Sequence, residues 1–221
     1  MKKTMSIAID GPAGAGKTTQ AKALAKALGF VYVDTGALYR TIALYMIQTG
    51  KTEADIDEIL ATIDMRPEYG RKDGQRMYLG MRDVTHLLRT PEVTKLASDI
   101  SAIPRVREFL LEMQRSIARN NNVVMEGRDI GTVILPDATL KVFLTADLDT
   151  RAWRRSRQME PGSYLLPQLK EQIRQRDEDN SKRDIAPLMQ AEDAILVDNS
   201  RQTPQETTAM ILSLWEQMQS A

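Results

Sequence analysis

The sequence predicts an α/β protein in which a mostly parallel sheet is flanked by helices. Short apolar runs of strand type alternate with amphipathic helical stretches along most of the 221 residues. A glycine-rich loop joins the first apolar run to the first helix, as in strand–loop–helix phosphate sites. Residues 65–85 instead alternate in polarity with strand period. We therefore expect one α/β domain that carries a small antiparallel insertion.

The first element is a buried strand over residues 6–10, followed by the spacing G-x-x-x-x-G-K-[ST]. In this motif the glycines bring main-chain N–H groups close to an anion, the lysine reaches the β- and γ-phosphates, and the hydroxyl ligates Mg²⁺. The loop therefore predicts a site for a nucleoside triphosphate with Mg²⁺. Its residues are Gly11, Pro12, Ala13, Gly14, Ala15, Gly16, Lys17 and Thr18, with Thr19 at the start of the helix.

The alternation continues with a helix over residues 19–28, which Gly29 ends, and a strand over residues 30–33. A second helix, which Thr35 is predicted to cap, runs to residue 49. A short helix over residues 51–62 completes the first part of the chain.

The insertion is predicted as a hairpin, because Asp73-Gly74 is a turn signal between two alternating runs. Two helices follow, and each opens on a proline. The first runs from Pro91 to about residue 102, and the second starts at Pro104.

The second half returns to alternating strands and helices, and Thr203 and Glu206 form a capping box before the terminal helix. Ligands of parallel sheets bind beyond the carboxyl ends of the strands. Asp10, Asp34 and residues 126–129 should therefore converge. The predicted strands are residues 123–126, 140–145 and 194–197, and the predicted helices are residues 149–159, residues 167–180 and the terminal one.

The amino-acid composition argues against several classes of protein. Thirty basic and thirty acidic side chains give zero net charge, which argues against a dedicated nucleic-acid-binding protein. The chain has no cysteine and one histidine, His86, so thiolate sites are excluded and histidine-based metal sites are disfavoured. No window approaches the roughly 18 apolar residues of a membrane span. We expect a cytoplasmic protein.

Arginine is concentrated beside the predicted loop, with seven residues between positions 151 and 183. Arg151, Arg154 and Arg155 share one helix face. Many guanidinium groups beside a phosphate loop imply a second anionic ligand. An acceptor that is itself a phosphate is already ionised and needs no general base. The pattern indicates a kinase that joins two polyanions, and the guanine-reading N-K-x-D of GTPases is absent.

Five further motifs occur in order along the chain, and together they resemble bacterial cytidylate kinase. The resemblance covers nearly the whole chain and is far more specific than the phosphate loop alone. The motifs are D-T-G-A-L-Y-R at 34–40, R-T-P-E-V at 89–93, I-P-R-V-R at 103–107, G-R-D-I-G-T at 127–132 and A-P-L at 186–188.

The resemblance implies a nucleoside-monophosphate-kinase fold with a five-stranded parallel sheet. It divides the chain into a core (1–62, 103–150 and 184–221), a mobile nucleotide-binding insertion (63–102) and an arginine-rich lid (151–183). It also implies transfer of the γ-phosphoryl group of ATP to CMP or dCMP with Mg²⁺, by a monomer without nucleic-acid or membrane partners.

By motif position, the resemblance implies the following roles. The residues at the CMP site would be Thr35, Tyr39, Arg40, Ser98, Arg107, Arg128, Asp129, Arg176, Asn180 and Arg183. The catalytic residues would be Lys17, Arg128, Asp129 and Arg176. ATP would also contact Arg151, Arg154 and Arg155, and Mg²⁺ would lie near Thr18 and Asp34.

Two residues depart from the family pattern: Asn180 and Glu126 each stand where an aspartate is usual. Asn180 leaves the choice between CMP and dCMP open. Two other functions also stay open at this point. One is a kinase of another small anionic acceptor, such as shikimate, and the other is a regulatory module that holds ATP without turnover.

Overall fold

The computed structural model describes residues 4–70, 74–157, 165–183 and 185–220. The centre is a parallel sheet of five strands in the order β2-β6-β1-β7-β8, so the predicted parallel sheet is confirmed. Its strands are β1 (Ser6–Asp10), β2 (Val31–Asp34), β6 (Val123–Glu126), β7 (Leu140–Thr145) and β8 (Ile195–Asp198).

The insertion forms a separate antiparallel sheet, as predicted. Its strands are β3 (Met65–Gly70), β4 (Gly74–Leu79) and β5 (Arg82–Asp83), and Gly70 pairs with Gly74. The turn predicted at Asp73-Gly74 includes residues 71–73, which lie outside the described residues. Gly74 itself has φ of 73°, a value that favours glycine.

The helices follow the predicted order. Gly29 and Gly50 end the first two helices in the left-handed conformation, and the capping box of Thr203 and Glu206 is present. The helices are α1 (Lys17–Leu28), α2 (Thr35–Thr49), α3 (Ile56–Thr62), α4 (Pro91–Ile100), α5 (Pro104–Asn120), α6 (Leu148–Ser156), α7 (Leu166–Ser181) and α8 (Pro204–Ser220).

The cap predicted for α2 is wrong. The Oδ1 atom of Asp34 accepts the N–H of Ala37 at 3.1 Å, so Asp34 is the N-cap. Thr35 is the first helical residue, and its hydroxyl donates to the main-chain oxygen of Glu126 at 2.8 Å. The carboxylate of Asp34 competes successfully for the cap because the hydroxyl of Thr35 has this partner on the neighbouring strand.

Several helix boundaries also differ from prediction, and the largest difference is at α3, which begins at Ile56 rather than at residue 51. Helix α1 begins at Lys17 rather than residue 19, because Gly16 adopts the left-handed conformation and ends the loop there. Helix α6 ends at Ser156, and residues 158–164, where the end of this helix was predicted, lie outside the described residues.

Apolar side chains cover both faces of the central sheet. Ile7 and Ile9 of β1 pack towards α1 and α8, with Trp215 in the same cluster. Ala8 points the other way, into a cluster that includes partly buried Leu111 of α5. A third cluster joins the inserted sheet to α2, α4 and α5, so the insertion shares a core with helices of the main domain. No helix among the described residues is long and apolar enough to cross a membrane.

Candidate active site

The predicted phosphate loop lies at the carboxyl end of β1 and needs its glycines. Gly11 has φ of 144°, and a Cβ atom there would lie 2.0 Å from the main-chain oxygen of Leu144. Gly14 and Gly16 have φ of 78° and 93°. Residues with a Cβ atom rarely adopt these φ angles, so only glycine fits these three positions without strain.

Lys17 is buried, and its Nζ atom donates to the main-chain oxygens of Gly11 at 2.8 Å and Pro12 at 2.7 Å. Burial lowers the pKa of Lys17, and the Arg128 charge lowers it further. The carboxylates of Glu126 and Asp10 act in the opposite direction. A phosphate oxygen is a stronger acceptor for this ammonium group than a carbonyl, so the cation is poised for a phosphorylated ligand.

Asp10 holds an unpredicted π-helical turn at Ile130–Ile134 against the end of β1. Its carboxylate accepts the N–H groups of Ile130 at 2.8 Å and Gly131 at 2.7 Å. Burial raises the pKa of Asp10 from 3.8 to about 6, although these two bonds oppose the shift. Asp10 therefore fixes the loop that carries Arg128 and Asp129.

Asp10→Asn should lower the free energy of unfolding by about 1–3 kcal/mol, because an amide cannot accept both N–H groups. A raised carboxyl pKa contributes stability that is lost as the pH rises from 3.8 to about 6. The variant should lack this loss. Urea denaturation across pH 4–7 measures both effects, with exposed Asp137→Asn as the matched control. Equal stabilities of Asp10→Asn and wild type would contradict the assignment.

Oxygen donors for Mg²⁺ lie beside the loop. Glu126 is buried and accepts from the hydroxyl of Tyr32 at 2.7 Å, and it also bonds the Thr18 side chain. Burial and the Asp34 charge raise the pKa of Glu126. The described residues contain no group of three or more acidic, histidine or cysteine side chains that could hold a metal alone. A nucleotide-bound Mg²⁺ does not need one, since phosphates and water supply most ligands. The hydroxyl group of Thr18 fits as the protein ligand of such a Mg²⁺ ion.

Asp34 has other partners in the structure. Besides capping α2, its Oδ2 atom pairs with Arg40 at 2.7 Å and lies 3.5 Å from Arg89. The magnesium role of Asp34 stays a prediction, and these bonds count against direct ligation.

Three predicted arginines, each partly buried, form a cationic cluster near Lys17: Arg40, Arg128 and Arg176. Burial, followed by the charges of Arg128 and Arg40, lowers the pKa of Arg176 to about 10. Burial also lowers the pKa of Arg128. The Nε atoms of Arg40 and Arg176 are buried without a hydrogen-bond partner. Buried donors and mutually repelling charges are costly unless an anion is bound. The cluster therefore has the properties of a site for a multiply charged phosphate group.

A second group of predicted residues lies next to this cluster. Arg107 and Asp129 form a buried ion pair, and Arg107 also donates to the main-chain oxygen of Ser101 at 3.1 Å. Arg183 donates to the main-chain oxygen of Ser98 at 3.2 Å. Burial raises the pKa of Tyr39 to about 12, with Arg107, Asp129 and Arg183 near enough to contribute. Paired donors and acceptors at one pocket can recognise the edge of a base.

Asn180 is buried on α7, and its Nδ2 atom donates to the main-chain oxygen of Arg176 at 2.6 Å. The amide therefore stabilises the local helix turn behind Arg176. Its predicted contact with the nucleotide sugar stays a prediction.

Two of the three arginines predicted on helix α6, Arg151 and Arg154, contact the phosphate loop. Arg151 donates to the main-chain oxygen of Ala13 at 3.0 Å and forms an ion pair with Asp177. Arg154 donates to the main-chain and side-chain oxygens of Asn199 at 2.8 and 2.9 Å. The charge of Arg155 contributes to the lowered pKa of Arg176. Arg151 and Arg154 therefore lie on the side of α6 that faces the loop, and the predicted ATP contact of Arg155 stays a prediction.

Sequence reasoning missed two residues that complete these contacts. Asp177 accepts the N–H of Ala13 at 3.0 Å, and Asn199 donates to the main-chain oxygen of Ala15 at 3.0 Å. Asn199 directly follows β8, so its strand-end position was an available signal. Asp177 lies in a helix rich in acidic residues, and nothing in the sequence distinguishes it there.

A parallel α/β sheet with a phosphate-binding loop beside a partly buried arginine cluster defines the chain as a P-loop kinase. Solved structures agree in fold. A shikimate kinase from Bacteroides thetaiotaomicron has a TM-score of 0.50 at 18% identity and covers 96% of this chain and 98% of its own. An uncharacterised protein from Eubacterium ventriosum has a TM-score of 0.57 at 15% identity, over 97% and 99% of the two chains. At these identities the likeness shows the fold alone.

The family follows from sequence comparison. Residues 7–217 match the family model described as cytidylate kinase. Cytidylate kinase of Carboxydothermus hydrogenoformans is 44% identical over 95% of this chain and 96% of the relative. Cytidylate kinase of Caldicellulosiruptor saccharolyticus is 42% identical over 96% of this chain and 96% of the relative. That of Streptococcus pneumoniae is 44% identical over 95% of this chain and 96% of the relative. The chain belongs to the cytidylate kinase family, which confirms the resemblance stated from the motifs.

Proposed function

We propose that the chain transfers the γ-phosphoryl group of ATP to CMP or dCMP and releases ADP with CDP or dCDP. The observation that carries this proposal is the partly buried cluster of Arg40, Arg128 and Arg176 near Lys17, with the Arg107–Asp129 pair beside it. Membership of the cytidylate kinase family supports the same reaction. The arginine cluster accounts for two anionic ligands, and the ion pair accounts for selection of the base.

ATP binds with its phosphates in the loop between β1 and α1. Main-chain N–H groups of the loop and the N-terminus of α1 face the anion. Lys17 exchanges its carbonyl partners for oxygens of the β- and γ-phosphates. Thr18 would hold Mg²⁺, which neutralises phosphate charge when it is bound with the nucleotide. Arg151 and Arg154 position the lid against the loop.

The acceptor phosphate binds among Arg40, Arg128, Arg176 and Arg183. One of its oxygens forms a bond to the γ-phosphorus while the bond to the ADP oxygen breaks. The acceptor oxygen is already ionised, so no side chain needs to remove a proton. Lys17 and the fixed guanidinium groups stabilise the charge that spreads over the transferring group.

Cytosine is selected by donors and acceptors in the pocket of Arg107 and Asp129. Arg107 donates to the ring acceptors O2 and N3, while Asp129 and Ser98 accept from the N4 amino group. Uracil reverses the pattern at N3 and at position 4. A buried mismatch costs about 1–3 kcal/mol for each unpaired group.

A panel of acceptors tests the proposal. CMP and dCMP should support ADP release with kcat/KM at least about 10-fold above that for UMP or AMP, as one unpaired buried group predicts. A coupled ADP assay with each nucleoside monophosphate, and with shikimate, measures this. Equal rates with CMP, UMP and AMP would contradict the proposed selection of cytosine by Arg107, Asp129 and Ser98. ATP binding without any acceptor-dependent turnover would favour a regulatory module.

The proposed substrates are free nucleotides. The zero net charge agrees with this, because a chain without excess basic charge gains little from binding nucleic acid. We propose a monomeric cytoplasmic enzyme that acts without a nucleic-acid or membrane partner. The division into core, insertion and lid, with movement of the latter two on binding, is part of the same proposal.

A further inference from the structure

Strand β2 lies at the edge of the central sheet, so one side of its main chain has no neighbouring strand within the described part of the chain. The side chain of Gln75, on β4 of the insertion, covers part of that edge. Its Oε1 atom accepts the N–H of Asp34 at 2.7 Å, and its Nε2 atom donates to the main-chain oxygen of Asp34 at 3.2 Å. One side-chain amide thus makes both bonds that a paired strand residue would make.

Asp34, which Gln75 holds in this way, pairs with Arg40 of the arginine cluster. The Asp34 side chain caps α2 through Ala37 and pairs with Arg40 at 2.7 Å. The space there is tight, because a Cβ atom on Gly36 would lie 2.9 Å from Arg40 and 3.1 Å from the carboxylate of Asp34. A shift of the Asp34 main chain would therefore move both the start of α2 and the guanidinium group.

The insertion packs against the core on both sides of this contact. Met77, two residues along β4, is fully buried in the core shared with α2 and α4. Tyr69, which pairs with Gln75 across the hairpin, packs against the cluster that contains Val33 of β2. Apolar contacts thus hold the inserted sheet near the edge strand β2. The two hydrogen bonds of Gln75 are directional, so they fix the position of the inserted sheet along β2.

We propose that Gln75 is a positioning residue that couples docking of the inserted sheet to the placement of Arg40 for the acceptor phosphate. Gln75 acts through Asp34 and touches no substrate. The inference rests on the proposed function for its kinetic consequence. The residue type is specific, because asparagine is one methylene shorter, and glutamate lacks the donor and adds charge beside Asp34.

Gln75→Ala tests this directly. We expect KM for CMP to rise about 5- to 10-fold while KM for ATP stays within about 2-fold, since only acceptor placement is lost. Hydrogen exchange at the Asp34 amide should accelerate at least about 10-fold, because that N–H loses its acceptor. Gln75→Glu should keep part of the amide protection but should not restore KM for CMP.

Two variants of the insertion control for general destabilisation. Val84→Ala truncates a fully buried side chain of the same core without touching Asp34. It should lower Tm and leave both the exchange rate of the Asp34 amide and KM for CMP unchanged. Met81→Ala changes a side chain that is 93% exposed and should alter nothing.

Unchanged exchange of the Asp34 amide in Gln75→Ala would overturn the coupling, as would equal increases in KM for CMP and ATP. The same effects in Val84→Ala would reduce Gln75 to a packing role. If the wild-type chain phosphorylates no nucleoside monophosphate, the proposed function fails, whereas amide exchange still decides whether Gln75 holds Asp34.

Discussion

Lys17→Ala should lower kcat about 10²- to 10³-fold, which is the loss typical when one preorganised hydrogen-bond donor is removed from a reacting group. Lys17 is buried beside the phosphate loop, and its ammonium group bonds only carbonyls of that loop among the described residues. We expect it to follow the γ-phosphoryl group during transfer, so its contribution grows as charge develops. KM for CMP should change less than kcat, because the acceptor has its own arginines.

Stability separates this effect from misfolding. Burial and, after it, the Arg128 charge lower the pKa of Lys17, so removal of this charge relieves a desolvation cost as well as a repulsion, and Tm should stay equal or rise. Lys26→Ala, on the exposed side of the same helix, is the matched control and should leave kcat unchanged. A single-turnover assay and a thermal scan of both variants check the prediction. An unchanged kcat in Lys17→Ala would remove the lysine from the mechanism.

Arg107→Ala should raise KM for CMP about 10²-fold and KM for ATP less than about 3-fold, because two bonds to the base are lost and the phosphate loop is untouched. Asp129 would then be buried without its partner, which also lowers stability. The double variant with Asp129→Ala removes that unpaired charge and should regain stability without regaining CMP affinity. Kinetics with each substrate varied, beside urea denaturation, measure the two effects separately.

Asp129→Asn is the sharper variant. An amide can donate to the O4 atom of uracil as well as accept from the cytosine amino group, so the preference for CMP over UMP should fall at least about 10-fold. Arg105→Ala is the control, since Arg105 is 65% exposed on the same helix as Arg107 and pairs with Asp57. Equal loss of ATP and CMP binding in Arg107→Ala, or an unchanged base preference in Asp129→Asn, would place the cytosine elsewhere.

The order of elements and the chemistry of the phosphate loop were available from the sequence because both depend on neighbours along the chain. The glycine spacing before Lys17 predicts the loop, and the structure shows the positive φ angles and the close approach of Gly11 to Leu144 that require it. The capping box at Thr203 likewise follows from residues three positions apart. Ordered motifs then indicated the family, and the comparisons confirm it.

The contacts between distant residues were decided by the tertiary structure. Asp34 rather than Thr35 caps α2 because β6 lies beside β2 and offers the main-chain oxygen of Glu126 to the threonine. Asp10 holds a π-helical turn 120 residues away, and Gln75 reaches the free edge of β2. Local patterns encode backbone angles and amphipathic faces over a few residues. Partners across the sheet depend on strand order and on the packing of the insertion, which the whole chain determines at once.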